Sequence, residues 1–146
     1  MPRSYLHDRV RVERLKIDGP EGGPMRRMNE KGELSQITNG EWPAFKHLVV
    51  WTLDTPKTGA TRGHHFHTNK VERAYLIQGE IEVLVQPNDQ MLPGMMVPMV
   101  AGERIIIDHG MAHCYRSKGD VPAIVMEMGE NPYDPMDTTP FGGFPK

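Results

Sequence analysis

The stretch Gly59–Gly79, reading GATRGHHFHTNKVERAYLIQG, decides how this chain is understood. It sets His65, His67 and Glu72 within eight residues of one another. Side chains alternate faces along an extended strand, so residues two apart point the same way and the imidazoles of His65 and His67 can converge on one point. His64 and Phe66 then face elsewhere. A short turn at Thr68, Asn69 and Lys70 can reverse the chain and return the Glu72 carboxylate to the same point. This arrangement is half of a metal site.

The other half lies at Gly102–Ser117, reading GERIIIDHGMAHCYRS, where His113 follows a strand-like run and a glycine turn at Gly110. Three neutral imidazoles and one carboxylate make a nitrogen/oxygen donor set that suits Zn, Fe(II), Mn, Ni or Cu and leaves positions open for water or substrate. The donor set does not choose among these metals. For each of the four residues the ordinary alternative is a solvated or hydrogen-bonded polar group, and it is their joint spacing that favours a shared ion.

These residues carry a family resemblance. The first stretch resembles the first cupin motif, G-x5-H-x-H-x4-E-x6-G, through Gly59, His65, His67, Glu72 and Gly79. The second resembles the second motif through Gly102, Gly110 and His113, with Asp108 in place of its proline and Ser117 in place of its asparagine. The resemblance implies an all-β chain folded as a double-stranded β-helix, the cupin jelly-roll barrel. With 146 residues the chain reads as one cupin domain over residues 1–146, with an N-terminal arm at 1–24 and a C-terminal tail at 129–146 whose Pro, Gly and Asp content marks it as irregular. A homodimer formed by exchange of N-terminal strands is also implied.

A narrower likeness appears in Arg62–His67, in Met111-Ala112-His113 and in the tail Asn131–Asp137 (NPYDPMD), which are similar to the nucleotide-sugar 3,5-epimerases and related sugar ketoisomerases. In the epimerases the histidine matching His65 is a catalytic base and the position matching His67 is often glutamine, so no metal is needed. Histidine at 67, with Glu72 besides, resembles a metal-equipped branch of that group. The likeness implies an epimerase or isomerase of dTDP-4-keto-hexose type in polysaccharide sugar biosynthesis. A metal-dependent oxygenase or lyase acting on a small carboxylate or ketone, and a non-catalytic ligand-binding cupin, are the alternatives.

Two chemistries follow for a 4-keto sugar, whose protons next to the carbonyl are acidic. A metal-free His65 can abstract one, with Tyr115 or Tyr133 as the returning acid. A His65 bound to metal has its lone pair occupied and cannot be that base; a Lewis acid then polarises the ketone, and His64 or a metal-bound hydroxide moves the proton. Arg62, just before the ligand pair, is placed to fork onto a carboxylate or diphosphate of the substrate. Lys70 and Arg73 read as solvated, and Cys114, one residue from His113, points away from the metal.

Composition agrees with a small barrel. The chain has 146 residues, 38% hydrophobic and 25% charged, with 15 glycines and 13 prolines for the turns of an all-β fold. Its net charge of −2 and the lack of a basic tract argue against nucleic acid as partner and leave a small-molecule substrate. A single cysteine excludes an internal disulfide, and no run approaches the roughly 20 apolar residues of a membrane span. The expected location is cytoplasmic.

Along the chain, residues 10–17 alternate as an edge strand or arm, and 25–37 read as a hairpin about Lys31-Gly32. His47–Leu53 reads as a strand covered on both sides. Runs 73–78 and 81–86 read as a hairpin about Gly79-Glu80. Runs 104–107 and 123–128 read as a strand pair bracketing His113, and the methionine-bearing segment 88–98 as a loop.

Overall fold

A computed structural model describes residues 2–144; Met1, Pro145 and Lys146, at the ends of the expected arm and tail, lie outside the described residues. The first strands are β1 (Arg3–Tyr5), β2 (Val10–Arg14), β3 (Lys16–Ile17), β4 (Met25–Asn29) and β5 (Gly32–Gln36). Next come β6 (His47–Leu53), β7 (Thr61–Phe66), β8 (Glu72–Gln78), β9 (Glu80–Pro87) and β10 (Met95–Val100). The chain closes with β11 (Glu103–Ile107), β12 (Met111–Ser117), β13 (Ala123–Gly129) and β14 (Thr139–Pro140).

These strands form a six-stranded sheet in the order β1-β2-β11-β8-β13-β6 and a five-stranded sheet in the order β10-β9-β12-β7-β14. Their inner faces meet over one apolar core that includes Val10, Val12, Leu76, Val83, Val85, Val97 and Ile105, each 0% exposed. The fold is the all-β cupin jelly roll. A small sheet, β3-β4-β5, covers the outside of the six-stranded sheet, where Tyr75 packs with Leu15 and Met128 and donates its hydroxyl to Ser35 Oγ at 2.9 Å.

One local expectation holds. Residues 25–36 form the β4–β5 hairpin, with Asn29 opposite Gly32. Glu72, Ala74 and Leu76 all face inward. Others are corrected by the stacking of the two sheets. Residues 73–78 and 81–86 are not a hairpin: β8 pairs with β11 and β13, whereas β9 pairs with β10 and β12. At Gly79 the chain crosses from one sheet to the other, with φ of 94° and with an added Cβ only 3.0 Å from the Ala123 Cα. Both runs bury their alternating face in the same core, so they lie across it rather than side by side.

By the same logic β11 and β13 do not pair with each other but flank β8. Part of the expected arm, β2, is inserted between β1 and β11, because Val10 and Val12 complete the inner face. β6 is not covered on both sides: it is an edge strand whose outward Leu48 and Val50 are 62% and 56% exposed. Met95 and Met96, expected in a loop, begin β10. Among the described residues no helix is long and apolar enough to cross a membrane.

Candidate metal centre

The four residues expected to hold a metal come from three places. His65 lies near the end of β7 and His67 just beyond it, Glu72 opens β8, and His113 sits in β12 directly opposite His65. Gly63 makes this pairing possible. The β7–β12 register slips between His113 and Cys114, so that β7 holds an extra residue, His64, with φ of 58°. This is a β-bulge, which re-aims the side chains on either side of it. Gly63 has φ of 103°, and a Cβ there would stand 2.6 Å from the His113 carbonyl oxygen.

One donor atom from each of His65, His67, Glu72 and His113 lies within 4.8 Å of the others. The imidazole centroids are 4.8 Å apart for His65–His67 and His65–His113, and 5.4 Å for His67–His113. Glu72 and His113 are 2% and 1% exposed, His67 is buried and His65 half-buried.

The tautomers are dictated by neighbours. His67 Nδ1 lies 2.9 Å from the Asp137 carbonyl and His113 Nδ1 3.0 Å from the Met111 carbonyl. A carbonyl can only accept, so both Nδ1 atoms carry hydrogen and each Nε2 of a neutral ring keeps its lone pair. Both Nε2 atoms are buried, and among the described residues neither has a hydrogen-bond partner. They stand 3.4 Å and 3.1 Å from the Glu72 oxygens. Lone pairs facing a carboxylate in an apolar barrel require a cation between them, either a proton or a metal ion. The residues therefore fit a divalent metal.

The charges respond accordingly. Burial, joined by the neighbouring His113, pushes His65 down to about 4, so that it is a neutral donor at neutral pH. Burial alone would raise Glu72, but His113, His67 and Lys70 hold its carboxyl well below the ordinary range. His113 is lowered by burial yet raised more by Glu72, and its net shift is upward.

Beside the donors lies a cavity of about 470 Å³, lined also by Trp51, Arg62, Lys70, Glu127, Tyr115 and Tyr133. Tyr115 shares the inward side with His113, and its buried hydroxyl donates to Glu72 Oε2, so the phenol is already engaged. Tyr133 is 62% exposed and stacks at 5.9 Å on His47. Arg62 gives its Nε–H to the Thr52 carbonyl at 2.8 Å and lies 5.7 Å over the Trp51 ring, with the rest of its guanidinium available to a ligand.

His64 is placed differently from the other candidates. It is exposed and does not line the cavity; its Nε2 meets Thr61 Oγ1 at 2.9 Å and Cys114 Sγ at 3.1 Å. The bulge that aims His65 inward turns His64 away. Cys114 points away from the cluster, as its alternation with His113 requires.

Sequence reasoning missed Lys70, Glu127, Trp51 and Asp137. Lys70 is not solvated: its Nζ pairs with Glu127 Oε1 at 2.5 Å and stands 3.9 Å from Glu72 Oε1. Trp51 Nε1 donates to the other Glu127 oxygen at 3.1 Å. Burial and the charge of Glu72 push Glu127 upward despite Lys70. The available signal was a lone acid in the apolar strand AIVMEMG, two residues from inward-facing Val125.

The cupin-domain family profile matches residues 52–129. No curated protein sequence matches the chain. Among solved structures, a dTDP-6-deoxy-D-glucose-3,5-epimerase from Legionella pneumophila, in complex with dTDP-4-keto-L-rhamnose, superposes with a TM-score of 0.71. It is 14% identical, over 94% of this chain and 75% of that one. A sugar 3,4-ketoisomerase from Thermoanaerobacterium thermosaccharolyticum in complex with TDP gives 0.69 at 14% identity, over 91% and 88%. A 3'-monoepimerase from Streptomyces bikiniensis in complex with dTDP-quinovose gives 0.72 at 16% identity, over 93% and 71%. At these identities the structures speak for the fold, and the profile match over more than half of the sequence, together with the two motifs and the jelly roll they build, shows that the chain belongs to the cupin family.

Proposed function

We propose that the protein is a divalent-metal-dependent cupin enzyme that moves a proton next to the carbonyl of a keto sugar, an epimerase or ketoisomerase of the nucleotide-sugar type. The observation that carries the metal half is the convergence of four donors, with two partnerless Nε2 lone pairs aimed at one carboxylate. What supports the keto-sugar half is the likeness of the barrel to structures that hold dTDP-sugars or TDP.

His65, His67, Glu72 and His113 would hold the ion, which when bound supplies Lewis acidity toward a carbonyl oxygen. As a ligand, His65 is not the base. Tyr115 fixes the Glu72 carboxylate through its hydroxyl, and Arg62 stands on the cavity wall where an anionic part of the substrate would lie. Lys70 and Glu127 form the titratable pair on that wall, and Tyr133 stands at its exposed margin, which makes these three the candidates for holding or moving a proton.

Elemental analysis of the purified protein and of H65A tests the metal half: a stoichiometric transition metal lost with His65 is expected, and a metal-free native protein would return His65 to the role of base. Solvent deuterium entering a dTDP-4-keto-6-deoxy sugar next to its ketone, without oxygen uptake, tests the reaction. One observation favours a second reading, since three histidines and one carboxylate also suit Fe(II) in an oxygenase. Iron-dependent oxygen consumption with no proton exchange would select it.

A further inference from the structure

Asp137 lies outside the donor cluster, 70 positions from His67 in a segment that composition marks as an irregular tail, yet it touches the site in two ways. Its side chain accepts three consecutive backbone N–H groups: Thr68 and Asn69 on Oδ1 at 2.9 and 3.0 Å, and Lys70 on Oδ2 at 2.9 Å. Its main-chain carbonyl accepts the Nδ1–H of His67 at 2.9 Å. The turn clamped by the carboxylate is the one that joins His67 to Glu72.

The segment around Asp137 is itself anchored. Asp134 accepts the Met136 N–H at 2.9 Å, and the Asp137 N–H reaches the Asp134 carbonyl at 3.1 Å. Beyond it, β14 pairs with β7 at Phe66 and His65, and the Phe141 N–H donates to the His64 carbonyl at 2.7 Å. The tail thus runs beside β7, and Asp137 meets the donor residue His67 directly.

We propose that Asp137 is the positioning residue of the metal centre: it sets the ring orientation and tautomer of His67 and the turn that delivers Glu72, and so prearranges two of the four donors. This rests on the metal reading given above. A carboxylate suits the place because three donors in succession face it with no acceptor among them. An amide would keep Thr68 and Asn69 on its oxygen but turn an N–H₂ toward the Lys70 N–H. Partners that orient a ligating histidine typically contribute about 10- to 100-fold to metal affinity.

The test compares wild type, D137N and D137A as full chains. Cobalt(II) affinity is measured by absorbance titration against a competing chelator, and the His67 tautomer by ¹⁵N NMR of the metal-free protein. The expected result is a 10- to 100-fold weaker affinity for D137A, a smaller fall for D137N, and a His67 signal that moves from a pure Nδ1–H tautomer toward a mixture. A role confined to general stability would leave that tautomer unchanged. If D137A does not fold, D137N carries the same comparison. A wild-type protein that takes up no cobalt refutes the metal reading and this role with it. Wild-type uptake with variants that bind within threefold and keep the Nδ1–H tautomer overturns the role of Asp137 alone.

Discussion

Replacing Tyr115 with phenylalanine removes one oxygen and separates two roles for this residue. The ring has reason to stay where it is, packed edge-on against Trp51 at 5.0 Å and near His113 at 5.8 Å. What disappears is the hydroxyl that donates to Glu72 Oε2, in a place where the two residues are 3% and 2% exposed. A hydrogen bond to a charged group contributes about 1.5–3 kcal/mol, so the metal-free variant should lose about that much unfolding free energy. The freed carboxylate is also less well aimed, and with about 1.4 kcal/mol per tenfold the same loss of order corresponds to metal binding weaker by about 10-fold or more. Denaturant unfolding of the metal-free protein and a chelator-competition titration measure the two effects. A variant with unchanged stability and metal affinity but collapsed turnover would refute the reasoning, because it would show that Tyr115 gives its proton to the substrate and not its hydrogen bond to Glu72.

Two further outcomes follow from the site. Glu72 raises His113 against the effect of burial, so the metal-free pair holds its proton above the ordinary histidine value of 6.5. A raised histidine contributes stability that is fully present below its unfolded pKa and lost as pH rises through the folded one. Metal binding must displace that proton, so apparent affinity should climb with pH over this window, and binding should release protons. Calorimetry in two buffers of different ionisation heat reads the release, and a value of zero contradicts it. G63A should destabilise the fold by about 1–3 kcal/mol and weaken the metal site, since φ is 103° and the new Cβ would press on the backbone of His113 and Cys114. Unfolding within 0.5 kcal/mol of wild type, as an order-of-magnitude margin, would show that β7 can shift without cost.

The donors were legible because three of them lie within eight residues and the alternation of an extended chain brings two of them to one side. His113 was legible through its motif. Lys70 misled because its charge suggested solvent, and only its partner Glu127, 57 positions away, explains its burial. His64 misled because a regular strand would have given it the face opposite His65 but not the left-handed bulge that ties it to Thr61 and Cys114.

By itself, then, the order of residues determined which side chains could bind a cation and that strands would carry them, since both depend on spacing over a few bonds. Which strands lie across the barrel from one another was decided by the stacking of two sheets. That stacking separates β8 from β9 at Gly79, while long-range pairing within the five-stranded sheet brings β12 beside β7 and the return of the tail along β7 lays Asp137 over His67. Contacts of this kind depend on how a whole apolar core closes, and no local pattern encodes them.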